Sequence, residues 1–367
     1  MNIYNDDRVV LTLDAGGTNF VFNAFRKGKA ISEGIRKDSN ADNLELCLST
    51  MKEGFRELMQ ESGEKPVAIS FAFPGPADYI NGIIGDLNNL PAFRGGVPLK
   101  SILEEEFGLP VYINNDGDLF AYGEALGGIL PEINSRLEAS GSPKRYRNLV
   151  GFTLGTGFGG GFVSDGKLII GDNSTAAEVW LFSNRYNVSA NAEDVVSTRS
   201  VLRVYASEAG IEYPNELKPK DIFEIAKGIR DGNQKAALKA YEETGRALGD
   251  TVANLLTFTD GIAVIGGGIT GASELYMPAL MEELNSNYIP SNSEELPRLV
   301  QKVFNLDDEN DRDEFFRDYS KTIPIPGTGK SISYDPLPRL AVATSTIGAS
   351  ESIALGAYAF ALQKIGA

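Results

Sequence analysis

Apolar and polar positions change rhythm along this chain, and the changes mark its elements. Val9–Ala15 and Phe20–Phe25 are apolar runs joined by Gly16-Gly17-Thr18-Asn19, which predicts a β-hairpin. Over 42–60, Leu44, Leu48, Met51, Phe55 and Leu58 recur at steps of four and three, one face of a helix. Val67–Phe73 is a strand pattern that stops at Pro74-Gly75-Pro76, a strong chain break. Asp86–Gly96 reads as a loop, Leu99–Phe107 as a helix and Pro110–Ile113 as a short buried strand. Asp116 then opens a helix running to about Leu126.

At Asn148 the order starts again with a strand–turn–strand unit. Helical periodicity follows over roughly 194–208, 219–229 and 235–258, with Leu248, Val252 and Leu255 on the inner face of the last. Gly261–Ile265 is a buried strand ending at Gly266-Gly267-Gly268. Residues 287–335 are polar, Pro-rich and charged, and read as a surface insertion with some helix. Arg339–Thr344 is a strand and Ala349–Leu362 a final helix rich in Ala and Gly. Strands and helices therefore alternate, with a weak echo between halves: an α/β chain with a duplicated core.

Composition narrows the chemistry. The chain has 367 residues, 42% apolar and 23% charged, enough for two ordinary domains with cores. A formal net charge of −16 argues against a nucleic-acid partner, whose phosphates need a basic face. One cysteine, Cys47, and no histidine exclude an internal disulfide, a Cys/His zinc site and every His-dependent triad. Proton transfer must use Asp, Glu, Lys or Tyr. The first residues, MNIYNDDRVV, carry no apolar leader, and no apolar run approaches the ~20 residues of a membrane span. The expectation is a cytoplasmic protein without a membrane partner.

Two stretches carry phosphate chemistry. VVLTLDAGGTNFVFNAF and VGFTLGTGFGGGFV each place a glycine turn with Thr between two apolar runs. Such turns let backbone N–H groups approach a phosphate closely, and two of them predict a clamp on a nucleotide tail. In the first, Gly16, Gly17, Thr18 and Asn19 would face phosphate oxygens, and Asp14 would hold Mg²⁺ through water. A plain hairpin turn with an Asx bond accounts for the same residues. In the second, Gly155, Thr156 and Gly157 are the counterpart, with a glycine-rich bulge as the other reading. Asn114-Asn115-Asp116 sits at a strand end and opens a helix. Asp116 there is either a simple cap or a carboxylate that takes the proton from a substrate hydroxyl.

Taken in order, DAGGT, PGP, NNLPAF, NNDGD, LGTGFGGG, AAEV and IGGGI resemble the ROK family of sugar kinases and sugar-responsive repressors. The resemblance runs from about residue 9 to the C-terminus, apart from the polar insertion. It implies duplicated ribonuclease H-like domains of the actin-like ATPase fold, with a cleft between them. It divides the chain into a small domain, 1–116 plus about 346–367, and a large one, 117–345, holding the insertion. It also implies roles: Asp116 as catalytic base; Asn89, Asn115, Glu178 and Glu193 as sugar-binding residues; Gly266, Gly267 and Gly268 as the nucleoside turn. ATP with Mg²⁺ would be the phosphoryl donor, polyphosphate remaining open, and the substrate a hexose or N-acetylhexosamine. The family habit is a dimer or tetramer, and the Ala/Gly-rich last helix would permit close packing between copies.

The departures carry weight too. Trp180 and Leu181 follow Glu178 where the family has His, and the family's Cys-rich zinc loop is absent, so no zinc is expected. Trp180, Phe182 and Tyr186 would then hold that wall by packing. The first strand starts at about residue 8, leaving no room for the helix-turn-helix of the family's repressors, which favours an enzyme. The competing reading is a non-catalytic sugar-binding or sensory relative. An ATPase acting on protein partners would have no use for Asn89, Asn115 and Glu178.

Overall fold

A computed structural model of the chain describes residues 2–85, 91–213, 216–291 and 294–366. It divides into two compact units. One comprises Met1–Gly128, Gly161–Ala177 and Ile347–Ala367, the other Ile129–Gly160 and Glu178–Thr346.

The first unit starts with β1 (Val9–Ala15), β2 (Asn19–Arg26), β3 (Lys29–Ala30) and β4 (Ile35–Asp38). Helix α1 (Leu44–Ser62), β5 (Pro66–Ala72), α2 (Leu99–Phe107), β6 (Val111–Asn114) and α3 (Asp116–Leu126) follow. The sheet runs β3-β2-β1-β5-β6, with β4 also on β2; β1 and β2 are antiparallel, and β1, β5 and β6 parallel. Helix α1 begins at Asn43, whose side chain accepts from Leu46 N–H (3.1 Å), and ends at Gly63 in the left-handed region. Its buried face is Cys47, Met51, Phe55 and Leu58, while Leu44 and Leu48 are only partly buried against the core. The face is thus rotated from the predicted one. Gly54 explains the shift: a Cβ there would sit 2.3 Å from the Phe22 ring, so the sheet approaches the helix along that line.

The second unit starts with α4 (Ile129–Ala139), β7 (Asn148–Leu154) and β8 (Phe158–Ser164), the unit boundary falling within β8 before β9 (Lys167–Leu168). It resumes with β10 (Ser183–Asn184), β11 (Asn187–Asn191), α5 (Ala192–Val196), α6 (Thr198–Ala209), α7 (Pro219–Ala226), α8 (Gln234–Thr259), β12 (Ile262–Gly266) and α9 (Ser273–Leu284). Then come β13 (Asn287–Tyr288), β14 (Leu296–Pro297), β15 (Lys302–Asn305), α10 (Glu309–Phe316), β16 (Lys321–Pro324), β17 (Ser331–Tyr334) and β18 (Arg339–Thr344). The sheet order is β15-β18-β12-β7-β8-β9, and β12 is parallel to both β18 and β7. All five β12 residues are buried, as expected of a parallel strand covered on both faces. Both sheets repeat one plan, a glycine-turned hairpin continued by parallel strands, which is the duplication the sequence echoes.

Two expectations change. Residues 287–335 are not wholly an insertion, because β15 lies inside them, pairs in parallel with β18 and buries Val303 and Phe304. In helix α11 (Ala349–Gly366), Gly356, Ala357, Ala359 and Ala361 are buried within the chain itself rather than presented on its surface. Gly356 packs against α3, where an added Cβ would stand 1.9 Å from Leu119 O. Among the described residues no helix is long and apolar enough to cross a membrane.

Candidate active site

In the first unit, strand register lines up the chemistry. Asp14 on β1 stands beside Ala72 on β5, and Ala72 beside Asn114 on β6. Asp116 follows two residues later as the first residue of α3. These are the C-terminal ends of neighbouring parallel strands, where open α/β sheets bind ligands. The turn next to Asp14 requires glycine at Gly16, whose Cβ would lie 2.9 Å from Asn19 O, while Gly17 faces open space. Ser39 fixes that turn, donating its hydroxyl to Gly17 O (2.7 Å) and its N–H to Thr18 O (2.9 Å).

The start of α3 sets both Asn115 and Asp116. Gly117 N–H donates to Asn115 Oδ1 (2.8 Å) and to Asp116 Oδ1 (2.9 Å). The cap engages the Asn115 oxygen, and its amide nitrogen lies 3.4 Å from the place a Gly75 Cβ would take. Tyr79 O–H, donated to Phe73 O (2.8 Å), closes the other side of the Pro74-Gly75-Pro76 loop. Asp116 is exposed as a residue, yet protein crowds its carboxyl. Desolvation raises its pKa above the ordinary aspartate value, the Gly117 N–H opposes the rise, and the charge of Asp14 adds to it. Desolvation also raises the Asp14 carboxyl, against the lowering influence of Arg36. Asn114, which no motif argument gave a role, is buried, and its Nδ2 has no hydrogen-bond partner among the described residues. Asn89 lies outside the described residues. The segment after it is anchored by buried Phe93, whose ring centroid is 5.2 Å from that of Phe73.

In the second unit, Gly155, Thr156 and Gly157 join β7 to β8. Gly155 N–H donates to Gly157 O (2.9 Å), and Thr198 N–H to Gly155 O (3.0 Å). Glu193 belongs to this turn: its Oε2 accepts from Phe158 N–H (3.1 Å) and its Oε1 from Arg199 (2.6 Å). A Cβ at Gly157 would stand 3.0 Å from that carboxylate. The next turn is adjacent. Gly266 ends β12 and is buried, and the turn proper is Gly267, with φ +96°, and Gly268. A Cβ at Gly267 would fall 2.3 Å from Leu154 O, which also accepts from Ile269 N–H (3.4 Å). Glu178 precedes the short turn Val179–Leu181, and the Trp180 indole N–H donates to its carboxylate. Phe182 and Tyr186 remain 37% and 43% exposed, so they do not form the packed wall expected of them. That segment is held by polar contacts instead.

Each unit thus gathers its own set. The first brings together Asp14, the Gly16–Asn19 turn, Asn115 and Asp116; the second gathers Gly155–Gly157, Gly267–Gly268 and Glu193. Ser39, Thr198 and Arg199 complete these sets without any sequence signal, since each acts on a turn remote from it along the chain. Among the described residues no three His, Cys, Asp or Glu side chains cluster to cage a metal. A single carboxylate such as Asp14 fits Mg²⁺, which takes one or two carboxylates together with phosphate oxygens and water.

Comparison with known proteins adds to this geometry. A family model described as ROK family matches residues 10–306. The N-acetyl-D-glucosamine kinase of Vibrio parahaemolyticus is 30% identical over 282 residues, 72% of this chain and 85% of that one. The glucokinase of Thermotoga maritima is 26% identical over 301 residues, 77% of this chain and 89% of its own. Among solved structures, a glucokinase from Parabacteroides distasonis is 50% identical, covers 99% of each chain and superposes with a TM-score of 0.90.

Proposed function

The chain belongs to the ROK family and has the α/β, actin-like ATPase fold of its relatives; on that premise we propose that it phosphorylates a hexose or N-acetylhexosamine with ATP. The observation that carries the proposal is the line Asp14, Asn114–Asp116 along one sheet edge, beside a glycine turn. Phosphoryl transfer passes through a loose transition state, so the protein's work is positioning and charge placement. Asp116 orients the attacking hydroxyl and receives its proton. A carboxyl raised by desolvation is a stronger base than an ordinary aspartate. Asn89, Asn115, Glu178 and Glu193 hold sugar hydroxyls. Gly16, Gly17, Thr18, Asn19, Gly155, Thr156 and Gly157 hold the phosphate tail, and Gly266–Gly268 the nucleoside. Mg²⁺, when bound near Asp14, neutralises phosphate charge. ATP as donor places the activity in the cytoplasm.

The test is a coupled assay of the purified chain with ATP, and separately polyphosphate, against a panel of hexoses and N-acetylhexosamines. Turnover with one sugar class is the expected result. Sugar binding without turnover would replace the proposal by the sensory reading, which rests on Trp180 and Leu181 standing where the family has His.

Metal analysis of the same preparation is expected to find no stoichiometric zinc. The chain has no histidine, and its one thiol, Cys47, is buried with its pKa pushed up to about 11. One zinc per chain would contradict this.

A further inference from the structure

Residues 182–191 connect the two places where the second unit carries Glu178 and Glu193. The β10–β11 hairpin makes this connection, and Ala192 N–H donated to Phe182 O (2.8 Å) closes its base. A two-stranded hairpin has little stability of its own. The tip of this one, Arg185-Tyr186, reaches a buried charge cluster. Asp250 on α8 and Glu283 on α9 are carboxylates only 3% and 1% exposed. Arg298, itself buried, donates Nη2 to Asp250 Oδ1 (2.8 Å) and to Asn254 Oδ1 (2.9 Å), and its Nε stands 3.6 Å from Glu283 Oε1. Arg185 supplies the second cation. Its backbone N–H donates to Asp250 Oδ2 (3.1 Å) and its guanidinium pairs with Glu283 Oε2, which also accepts from Tyr186 O–H (2.6 Å). Asn184 Nδ2, donated to Ala247 O (2.8 Å), adds a neutral tie to α8.

Two carboxylates and two guanidiniums balance, and the balance depends on the hairpin. With Arg185 withdrawn, α8 and α9 keep two buried carboxylates against one guanidinium, which is costly in a poorly solvated site. The cluster therefore draws the hairpin tip onto α8 and α9. Gly249 makes the shared site possible, because a Cβ there would meet the Glu283 Cβ at 2.6 Å.

We propose that Arg185, backed by Arg298, is a positioning residue for sugar recognition: the charge cluster clamps the hairpin and so fixes where Glu178 and Glu193 stand. The inference rests on the reading of those two glutamates as sugar-binding residues. Arg185 is the place to test it, since its side chain is 40% exposed and its loss need not open the core. In the full chain, Arg185→Gln should raise the KM for sugar by about tenfold, the scale of one hydrogen bond to a charged group. The KM for ATP and kcat should stay near wild type, because the ties lost hold sugar in ground and transition states alike. Arg185→Lys should recover most of the loss, and Tyr186→Phe, which removes one hydroxyl, should show a smaller rise of the same kind.

A merely structural cluster would lower apparent kcat through a smaller folded fraction and leave the sugar KM alone; that result overturns the inference. So does an Arg185→Gln enzyme whose sugar KM matches wild type. If the wild type proves not to turn sugar over, the functional reading fails first, and calorimetric sugar affinity replaces KM. Equal affinity in wild type and Arg185→Gln then overturns the clamp, and a wild type that binds no sugar overturns both.

Discussion

Asp116→Asn is expected to lower sugar-dependent turnover by at least about 10²-fold, the scale of a lost general base, and to leave the chain folded. The substitution is nearly isosteric. The side-chain amide oxygen of the variant can still accept from Gly117 N–H, so the start of α3 keeps its local bonds. What disappears is the ability to take a proton. Wild-type activity should fall on the acid side as Asp116 protonates, with an apparent pKa above the ordinary aspartate value of about 3.9, because desolvation and then the charge of Asp14 raise it. The variant should lose that acid limb along with its rate.

Stability should move the other way. A carboxyl whose folded pKa lies above its unfolded one binds more protons when folded, so stability falls as pH rises from the unfolded value through the folded one. The penalty grows in the wild type as pH rises through the folded value and is absent in the Asn variant. Thermal unfolding at pH 7 should therefore show Asp116→Asn at least as stable as wild type, with the advantage shrinking as pH falls through the folded value and gone below about pH 4. Loss of rate with gain of stability is the mark of a group kept for chemistry. A near-normal kcat in the variant would remove Asp116 from the mechanism.

Much of this fold is legible in the sequence where periodicity is long and its ends are punctuated. Strand β1 runs over Val9–Ala15, helix α3 over Asp116–Leu126 and strand β18 over Arg339–Thr344, as the pattern predicts. Other elements are hidden for physical reasons. Helix α9 contains Pro278, and α4 follows two glycines and carries Pro131, so local propensity speaks against both while tertiary packing secures them. Strand β15 is four residues in a polar stretch, too short for alternation to register. The second glycine run mixes two causes. Gly157 serves the turn at Glu193, but a Cβ at Gly161 would fall 2.5 Å from Gly117 O, so that glycine serves helix packing. The charge cluster of Arg185, Asp250, Glu283 and Arg298 comes from four distant segments, and no spacing rule could have assembled it.

The packing of α3 leads to the second large effect: Gly356→Ala should destabilise the chain by about 2–3 kcal/mol, the upper range for an overpacked core. Local propensity predicts the opposite sign, since Ala is better than Gly by about 1 kcal/mol inside a helix. Space decides. The added Cβ would stand 1.9 Å from Leu119 O, and the reciprocal Cβ at Gly123 would stand 2.0 Å from Ser352 O. Both obstacles are backbone carbonyls, which cannot rotate aside as a side chain could, so α3 and α11 must separate. In the same seam Ser352 Oγ donates to Glu124 Oε1 (2.6 Å), a buried bond that separation would stretch. Urea unfolding should report the loss, with Gly271→Ala as control, because its Cβ meets nothing within 4 Å and should shift stability by less than about 0.5 kcal/mol. The first turn of α3 carries Asn115 and Asp116. Turnover per folded molecule should therefore fall as well, which distinguishes a displaced α3 from a smaller folded population. Wild-type stability in Gly356→Ala would mean that the two helices are not in backbone contact, and that Asp116 owes its place to something other than this seam.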